Sequence, residues 1–264
     1  LWNGIKLIKN RKVPQIFNLQ MTKKVMNLFD SINRTVFSVD RDEGYLGAVE
    51  KHFKERLENL KFLLSLRNES RDLDPELFIL ACCFLDAFAN IFYGSDPGLR
   101  FRKILYEFAE YGDVDFSKVS LIELEKIFLM NKQFIPLKKA YLDYIGKKID
   151  NIDYSAISHS YKYDPLKHDL LKELLSIENN NFDLLRDAIE NATYASVLYT
   201  KYRNPVIHEG IPKNHWNIAD ENYLYYMGII DARADLVFSA KFLVNLLESI
   251  YKKVFERILS SESF

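Results

Sequence analysis

Apolar positions along this chain recur mostly at intervals of three and four. In "YLGAVEKHFKERLENLKFLLSLR" (45–67), Leu46, Val49, Phe53, Leu57, Leu60 and Leu64 form one stripe, and lysines and glutamates fill the other face. That spacing predicts an amphipathic helix. A shorter helix is predicted before it, around Thr22 to Phe37. The stretch "DPELFILACCFLDAFANIFYGSDPG" (74–98) opens with Asp74 and Pro75, a cap followed by proline in the first turn, and stops at Gly94. Between these signals it is apolar on every side, which predicts a central core helix. Asp86 and Asn90 interrupt it four residues apart, hence on one face.

Further helices are predicted at 99–112, 120–130, 135–149 and 165–176, with a polar loop over 150–164 and a break at "NNN" (179–181). From Phe182, Leu185, Ile189, Ala192, Ser196 and Tyr199 line a single helix that Pro205 ends, because the residue before a proline disfavours helical geometry. The last element, 219–259, reads as one long helix through Leu224, Met227, Ala234, Phe238, Phe242, Leu246, Ile250, Val254 and Ile258. No convincing strand alternation appears, so the expected fold is all-α with one core. The expected organisation is a variable leading segment (1–44), then one helical domain (45–260) with a helical insertion at about 113–181.

Composition narrows this picture. Hydrophobic residues make up 48% and charged residues 28%, so there is no case for disorder. Only 9 glycines and 7 prolines occur, too few for many short strands joined by tight turns. The formal net charge of -1 gives no global attraction to nucleic acid, so any phosphate-binding surface must be a local patch. Cys82 and Cys83 are adjacent inside an apolar run, which argues against a structural disulfide, and no second cysteine pair supplies a zinc spacing. His52, His159 and His168 have no ligand-like spacing either. No metal and no cofactor are expected, and reduced thiols fit a cytoplasmic setting. The longest apolar run, "LFILACCFL" (77–85), is short of the roughly 20 residues that cross a bilayer, so no membrane partner is expected.

The candidate chemistry lies in "YRNPVIHEG" (202–210). On an unbroken helix, residues five apart diverge by about 140°. A break at Asn204-Pro205 lets Arg203 and His208 face a common point. A permanently charged guanidinium beside a group that titrates near neutrality suits phosphodiester chemistry. Arg203 can hold a phosphate with its fork, His208 can move a proton, and Asn204 can orient its neighbours. The same residues also fit a structural role, since arginine near a helix C-terminus complements the dipole. Asp86, a carboxylate inside an apolar helix, calls for a cationic partner such as Arg203 or His208; the alternative is that it faces solvent or a subunit boundary. "LRFRK" (99–103) interleaves Phe101 with Arg100, Arg102 and Lys103, which could touch an RNA backbone or form a solvated helix start, and Trp216 could stack on a base or anchor the loop.

"RNPVIH", with "YASVLYTKY" leading in and "ILACCFLDAFANIFYG" upstream, resembles the signature and setting of the HEPN superfamily, whose motif is arginine, four to six residues, then histidine. The resemblance covers about residues 74–259, without the insertion. It implies an up-down helical bundle with extra helices inserted, which commonly forms a homodimer. It also implies metal-independent endoribonuclease activity at a cleft shared by two subunits. Arg203 would act on the scissile phosphate, His208 as acid or base and Asn204 as positioner, with Asp86 and Glu209 in support. The attacking group would be the RNA's own 2′-hydroxyl. Toxin–antitoxin or phage-defence roles, and with them an antitoxin or other protein partner, follow from the same resemblance. So does the alternative of an inactive module that binds RNA, nucleotide or protein. Some members carry a nucleotidylated tyrosine two residues after the histidine; that position is Gly210 in this chain, which puts such a modifying partner in doubt.

Overall fold

The computed structural model describes residues 43–67, 73–93, 96–134, 138–150, 157–158, 160–177, 182–205, 224–229 and 232–261. Within them the protein is mostly helical. Helices α1 (Glu43–Leu66), α2 (Asp74–Tyr93), α3 (Pro97–Phe108) and α9 (Ala240–Ser261) pack together as one group. Helices α4 (Leu121–Met130), α5 (Lys138–Ile149), α6 (Lys167–Ile177) and α7 (Phe182–Asn191) form a second group beside them. Helix α8 (Tyr194–Val197) and the π-helical turn that continues it (Leu198–Arg203) lie against both groups. The helix expected at Thr22–Phe37 lies outside the described residues.

Local signals explain most of the starts. Asp96 caps α3 by accepting from Leu99 N–H at 2.8 Å, with proline in the first turn. Ser120 caps α4 by accepting from Glu123 N–H, and Ser239 accepts from Phe242 N–H at the start of α9. Burial does the rest. Phe53 of α1 sets its ring edge-on to Phe84 and tilted against Phe88 of α2, at 4.9 and 4.0 Å between ring centres, and Phe88 meets Tyr251 and Phe255 of α9. A buried side chain of this kind stabilises by about 1.5–3 kcal/mol. One buried cluster runs from Val49 to Phe255 and includes Phe116, Leu124, Phe128, Tyr141 and Leu170 from the 113–181 region. Helix α2 is long and apolar enough to cross a membrane, but half of its apolar stretch is buried among the other helices.

Two helical expectations are corrected. The long helix expected over 219–259 is replaced in its first part by an antiparallel hairpin, β2 (Tyr225–Ile229) and β3 (Ala232–Val237). A short strand, β1 (Ile157–Ser158), extends it to a three-stranded sheet in the order β1-β2-β3. Tyr226 pairs with Leu236, Tyr225 with Val237, and the register shifts between Met227 and Ile229. Buried β-formers, with Leu236 and Ala234 turned into the core, outweigh the helical spacing of Leu224, Met227, Ala234 and Phe238. The second correction is at 182–203, which is not one helix. Backbone bonds from Ser120 N–H to Ala192 C=O and from Tyr194 N–H to Lys118 C=O divide it, and Thr193 caps the new helix by accepting from Ser196 N–H.

Candidate functional site

The helical segment from Tyr194 to Pro205 carries the arginine of the motif. Its last part is widened: the N–H of Asn204 donates to Tyr199 C=O, five residues back. Proline at 205 gives a physical reason. Its ring crowds the carbonyl four residues before it and its nitrogen donates nothing, so a regular α-turn cannot close there. The helix therefore does not stop before the proline, as the sequence suggests; it relaxes into a π-turn and runs through Asn204 and Pro205. Single π-turns of this kind concentrate at functional sites.

Successive side chains of this turn are fixed on different neighbours. Tyr199 lies against Gly98 of α3, where an added Cβ would meet its ring at 3.2 Å and press on it. Lys201 pairs with Glu123 of α4 and lies 3.8 Å from Asp235 of β3. Tyr202 is fully buried, donates its hydroxyl to Leu236 C=O at 2.9 Å and stacks on Phe78. Arg203 turns the other way. Its Nη2 donates to Asp86 Oδ2 at 2.6 Å, its Nη1 donates to Asn204 Oδ1 at 3.0 Å, and its guanidinium sits 5.3 Å from the Tyr199 ring centre. The hairpin thus helps to place the motif arginine, a function that sequence reasoning missed.

Asp86 does not face open solvent. It is the partner of Arg203, and its other oxygen accepts from Arg100 Nε at 3.3 Å and Nη2 at 3.2 Å. Arg100 Nη1 also donates to Asn90 Oδ1 at 2.8 Å. Asp86 and Asn90 share one face of α2, as their spacing requires, and the α3 start brings Arg100 opposite them. The side chains of Asp86, Arg100 and Arg203 retain 15%, 16% and 11% exposure, so the cluster sits at the edge of the core. Among the described residues, Arg203 Nε is buried and has no hydrogen-bond partner.

The other expected residues divide. Arg102 faces away, with its Nε 3.6 Å from Glu190, and Lys103 is exposed, with its Nζ 5.8 Å from the Tyr93 ring centre; neither joins the Asp86 cluster. His208, Glu209 and Trp216 lie outside the described residues. Cys83 is near Asp86 and Arg203, but burial and then the Asp86 charge push its thiol up to about 12, so it is no nucleophile at neutral pH. Among the described residues no group of three or more His, Cys, Asp or Glu side chains is placed to hold a metal ion.

No protein-family model matches this chain, no curated protein matches its sequence, and no solved structure matches it.

Proposed function

We propose that the chain is a metal-independent endoribonuclease of the HEPN type, working as a homodimer in which two copies of the R-N-x-x-x-H stretch share a cleft. The observation that carries the proposal is the ion pair between Asp86, the carboxylate of the apolar core helix, and Arg203, the arginine of that stretch. It ties the two parts of the resemblance together across a sequence separation of 117. The mostly helical fold is compatible with an up-down bundle, and the free thiols Cys82 and Cys83 suit a reducing, cytoplasmic setting.

In this reading Arg203 holds the scissile phosphate and stabilises the charge that develops on its oxygens. The ribose 2′-oxygen attacks phosphorus, the bond to the 5′-oxygen breaks, and a 2′,3′-cyclic phosphate remains. His208 takes the 2′-hydroxyl proton or gives one to the leaving 5′-oxygen. Asn204, already bonded to Arg203, orients it. Arg100 belongs with Asp86, while Arg102, Lys103 and Trp216 remain candidates for contacts along the RNA. An antitoxin or another protein partner in a defence system would fit this activity.

A second reading has its own support. Arg203 is only 9% exposed and already bonded to Asp86 and Asn204, which also suits an inactive module that binds RNA, nucleotide or a protein. Incubation of the purified chain with single-stranded RNA in excess chelator separates the two. The nuclease reading expects cleavage that falls about 10²–10⁴-fold in His208→Ala. Undiminished cleavage by that variant removes His208 from the mechanism. Binding that Arg203→Ala abolishes, without turnover by the native chain, selects the module.

A further inference from the structure

The side of α3 away from Asp86 meets a second charged cluster. Glu190, near the end of α7, lies 3.6 Å from Arg102 Nε through Oε1 and accepts from Lys167 Nζ, at the start of α6, through Oε2 at 3.3 Å. Its shortest bond comes from a neutral donor: Tyr106 gives its hydroxyl to Oε1 at 2.7 Å, and Thr193 Oγ1 lies 2.9 Å from the same hydroxyl. Contacts between a charged nitrogen and a carboxylate normally close to about 2.7–2.9 Å. Both cations are therefore loosely held. Lys61 and Lys252 also share one carboxylate, Glu248, but close on it at 2.6 and 3.0 Å.

Arg102 and Lys167 have donors to offer. Within ion-pair distance these two cations share Glu190, which leaves one positive charge in excess. Arg102 Nε is buried, but its two terminal nitrogens are not, and they bond to nothing among the described residues. The side chains of Arg102 and Lys167 are 22% and 39% exposed. Lys167 Nζ is also held 4.4 Å from the Tyr106 ring centre, so the ammonium has a fixed place beside the arginine.

The position in the fold gives these charges a use. Gly98, Arg102 and Tyr106 are four residues apart and form one row along α3. The segment 193–203 runs antiparallel beside that row: Tyr199 meets Gly98 at one end, and Thr193 meets Tyr106 at the other. The Tyr199 ring also carries the Arg203 guanidinium. Arg102 and Lys167 thus lie along the same seam as the motif arginine, with Arg102 one helical turn, about 6 Å, beyond Gly98.

We infer that Arg102 and Lys167 form a second phosphate-binding site, which holds the backbone of a single-stranded RNA beside the phosphate at Arg203. This rests on the reading that the chain acts on RNA. The net charge of -1 gives no general attraction to a polyanion, so a strand needs local cations of this kind. Arg102 presents its terminal nitrogens and Lys167 its ammonium to one phosphate, while Glu190 and Tyr106 set the gap between them. Neither cation touches the reacting atoms; together they bind the strand and fix its register.

The test is binding of a fluorescently labelled single-stranded RNA with methylated 2′-hydroxyls, which the proposed reaction does not cleave, followed by anisotropy over a range of salt. Arg102→Gln combined with Lys167→Gln weakens binding about tenfold and lowers the slope of log affinity against log salt by about 0.7, the share of one phosphate on a single strand. Glu190→Gln strengthens binding, because it leaves both cations unopposed. Lys61→Gln combined with Lys252→Gln removes the same charge from the Glu248 cluster on α1 and α9, and changes binding by less than about twofold. Circular dichroism confirms that each variant is folded. A loss in the Arg102 and Lys167 variant no larger than in the Lys61 and Lys252 variant overturns the inference. So does weaker or unchanged binding by Glu190→Gln, or a native chain that binds no RNA. Cleavage of unmodified RNA by a chain whose binding ignores Arg102 and Lys167 leaves the nuclease reading standing without this site. Binding that depends on both residues in a chain that cleaves nothing leaves the site standing without the nuclease.

Discussion

The π-turn at Leu198–Arg203 is held by two ionic clusters that differ in one respect. On the α4–β3 side, Lys126 and Lys201 meet Glu123 and Asp235, two cations against two carboxylates. Burial works against the charge of Lys126, but Glu123 and Asp235 outweigh it and hold its pKa above the usual lysine value. On the α2–α3 side, Arg100 and Arg203 both meet Asp86, and Arg203 also donates to Asn204 Oδ1. They differ in what they hold: the first ties the turn to α4 and β3 through two lysines, whereas the second ties it to α2 and α3 and carries the motif arginine at the edge of the core.

The largest expected effect breaks the comparison directly. Arg203→Ala lowers single-turnover RNA cleavage by about 10²–10³-fold, the loss typical of removing one donor to developing oxyanion charge. Lys126→Ala in the balanced cluster leaves the rate of the folded enzyme within about threefold, since Lys201 still faces both carboxylates. Equal losses in the two variants would erase the distinction.

The other end of the same helix supplies a pH test. Asp164 is buried and its Oδ2 faces the hydroxyls of Tyr194, in α8, at 2.6 Å and Tyr226, in β2, at 2.5 Å. Burial pushes its pKa up to about 7, against the opposing effect of these hydroxyls, the Leu121 backbone and Lys118. The contacts favour the proton too. Tyr194 also reaches Tyr161 C=O and Tyr226 also reaches Ser120 Oγ, so these four contacts share three hydroxyl hydrogens unless the carboxyl adds a fourth. Below about pH 4 both folded and unfolded chains hold the proton. Between about pH 4 and the folded value near 7 only the folded chain holds it, so stability falls as pH rises and levels off above 7. The expected loss is on the order of 4 kcal/mol. Urea unfolding across this range shows that slope for the native chain and a flatter one for Asp164→Asn; parallel curves would mean that Asp164 does not titrate there.

Within the balanced cluster, Glu123→Gln leaves two lysines facing Asp235 and lowers unfolding free energy by about 3 kcal/mol. An unshifted urea midpoint would remove Glu123 from the account. Smallest of all, Tyr202→Phe deletes the hydroxyl bonded to Leu236 C=O and costs about 1 kcal/mol by the same measurement, leaving the carbonyl of β3 without that donor.

How much of this was legible in the sequence follows from the range of each signal. Helices α1 to α3 carry their own periodicity and caps, and Asp96-Pro97 and Ser120 mark starts that the fold keeps. The hairpin was hidden because Leu224, Met227, Ala234 and Phe238 also fit a helix, and the residues joining its strands, Ile230 and Asp231, are not a recognised turn pair. The division at Ala192–Thr193 contains neither glycine nor proline and depends on hydrogen bonds to the distant segment 118–120. Asp86 could be singled out because a lone carboxylate in an apolar helix demands a cation, and Arg203 was one of the two partners it suggested. Arg100 read as a surface residue, since nothing local ties it to a carboxylate on the preceding helix.

The proposal that Arg203, held by Asp86, serves phosphodiester cleavage is tested most directly by the end chemistry of RNA fragments produced in excess chelator by the native chain, Arg203→Ala and Lys126→Ala. The account predicts 2′,3′-cyclic phosphate and 5′-hydroxyl ends from the native chain and from Lys126→Ala, and almost none from Arg203→Ala. Fragments ending in 3′-hydroxyl and 5′-phosphate, or cyclic ends that persist undiminished in Arg203→Ala, would contradict it.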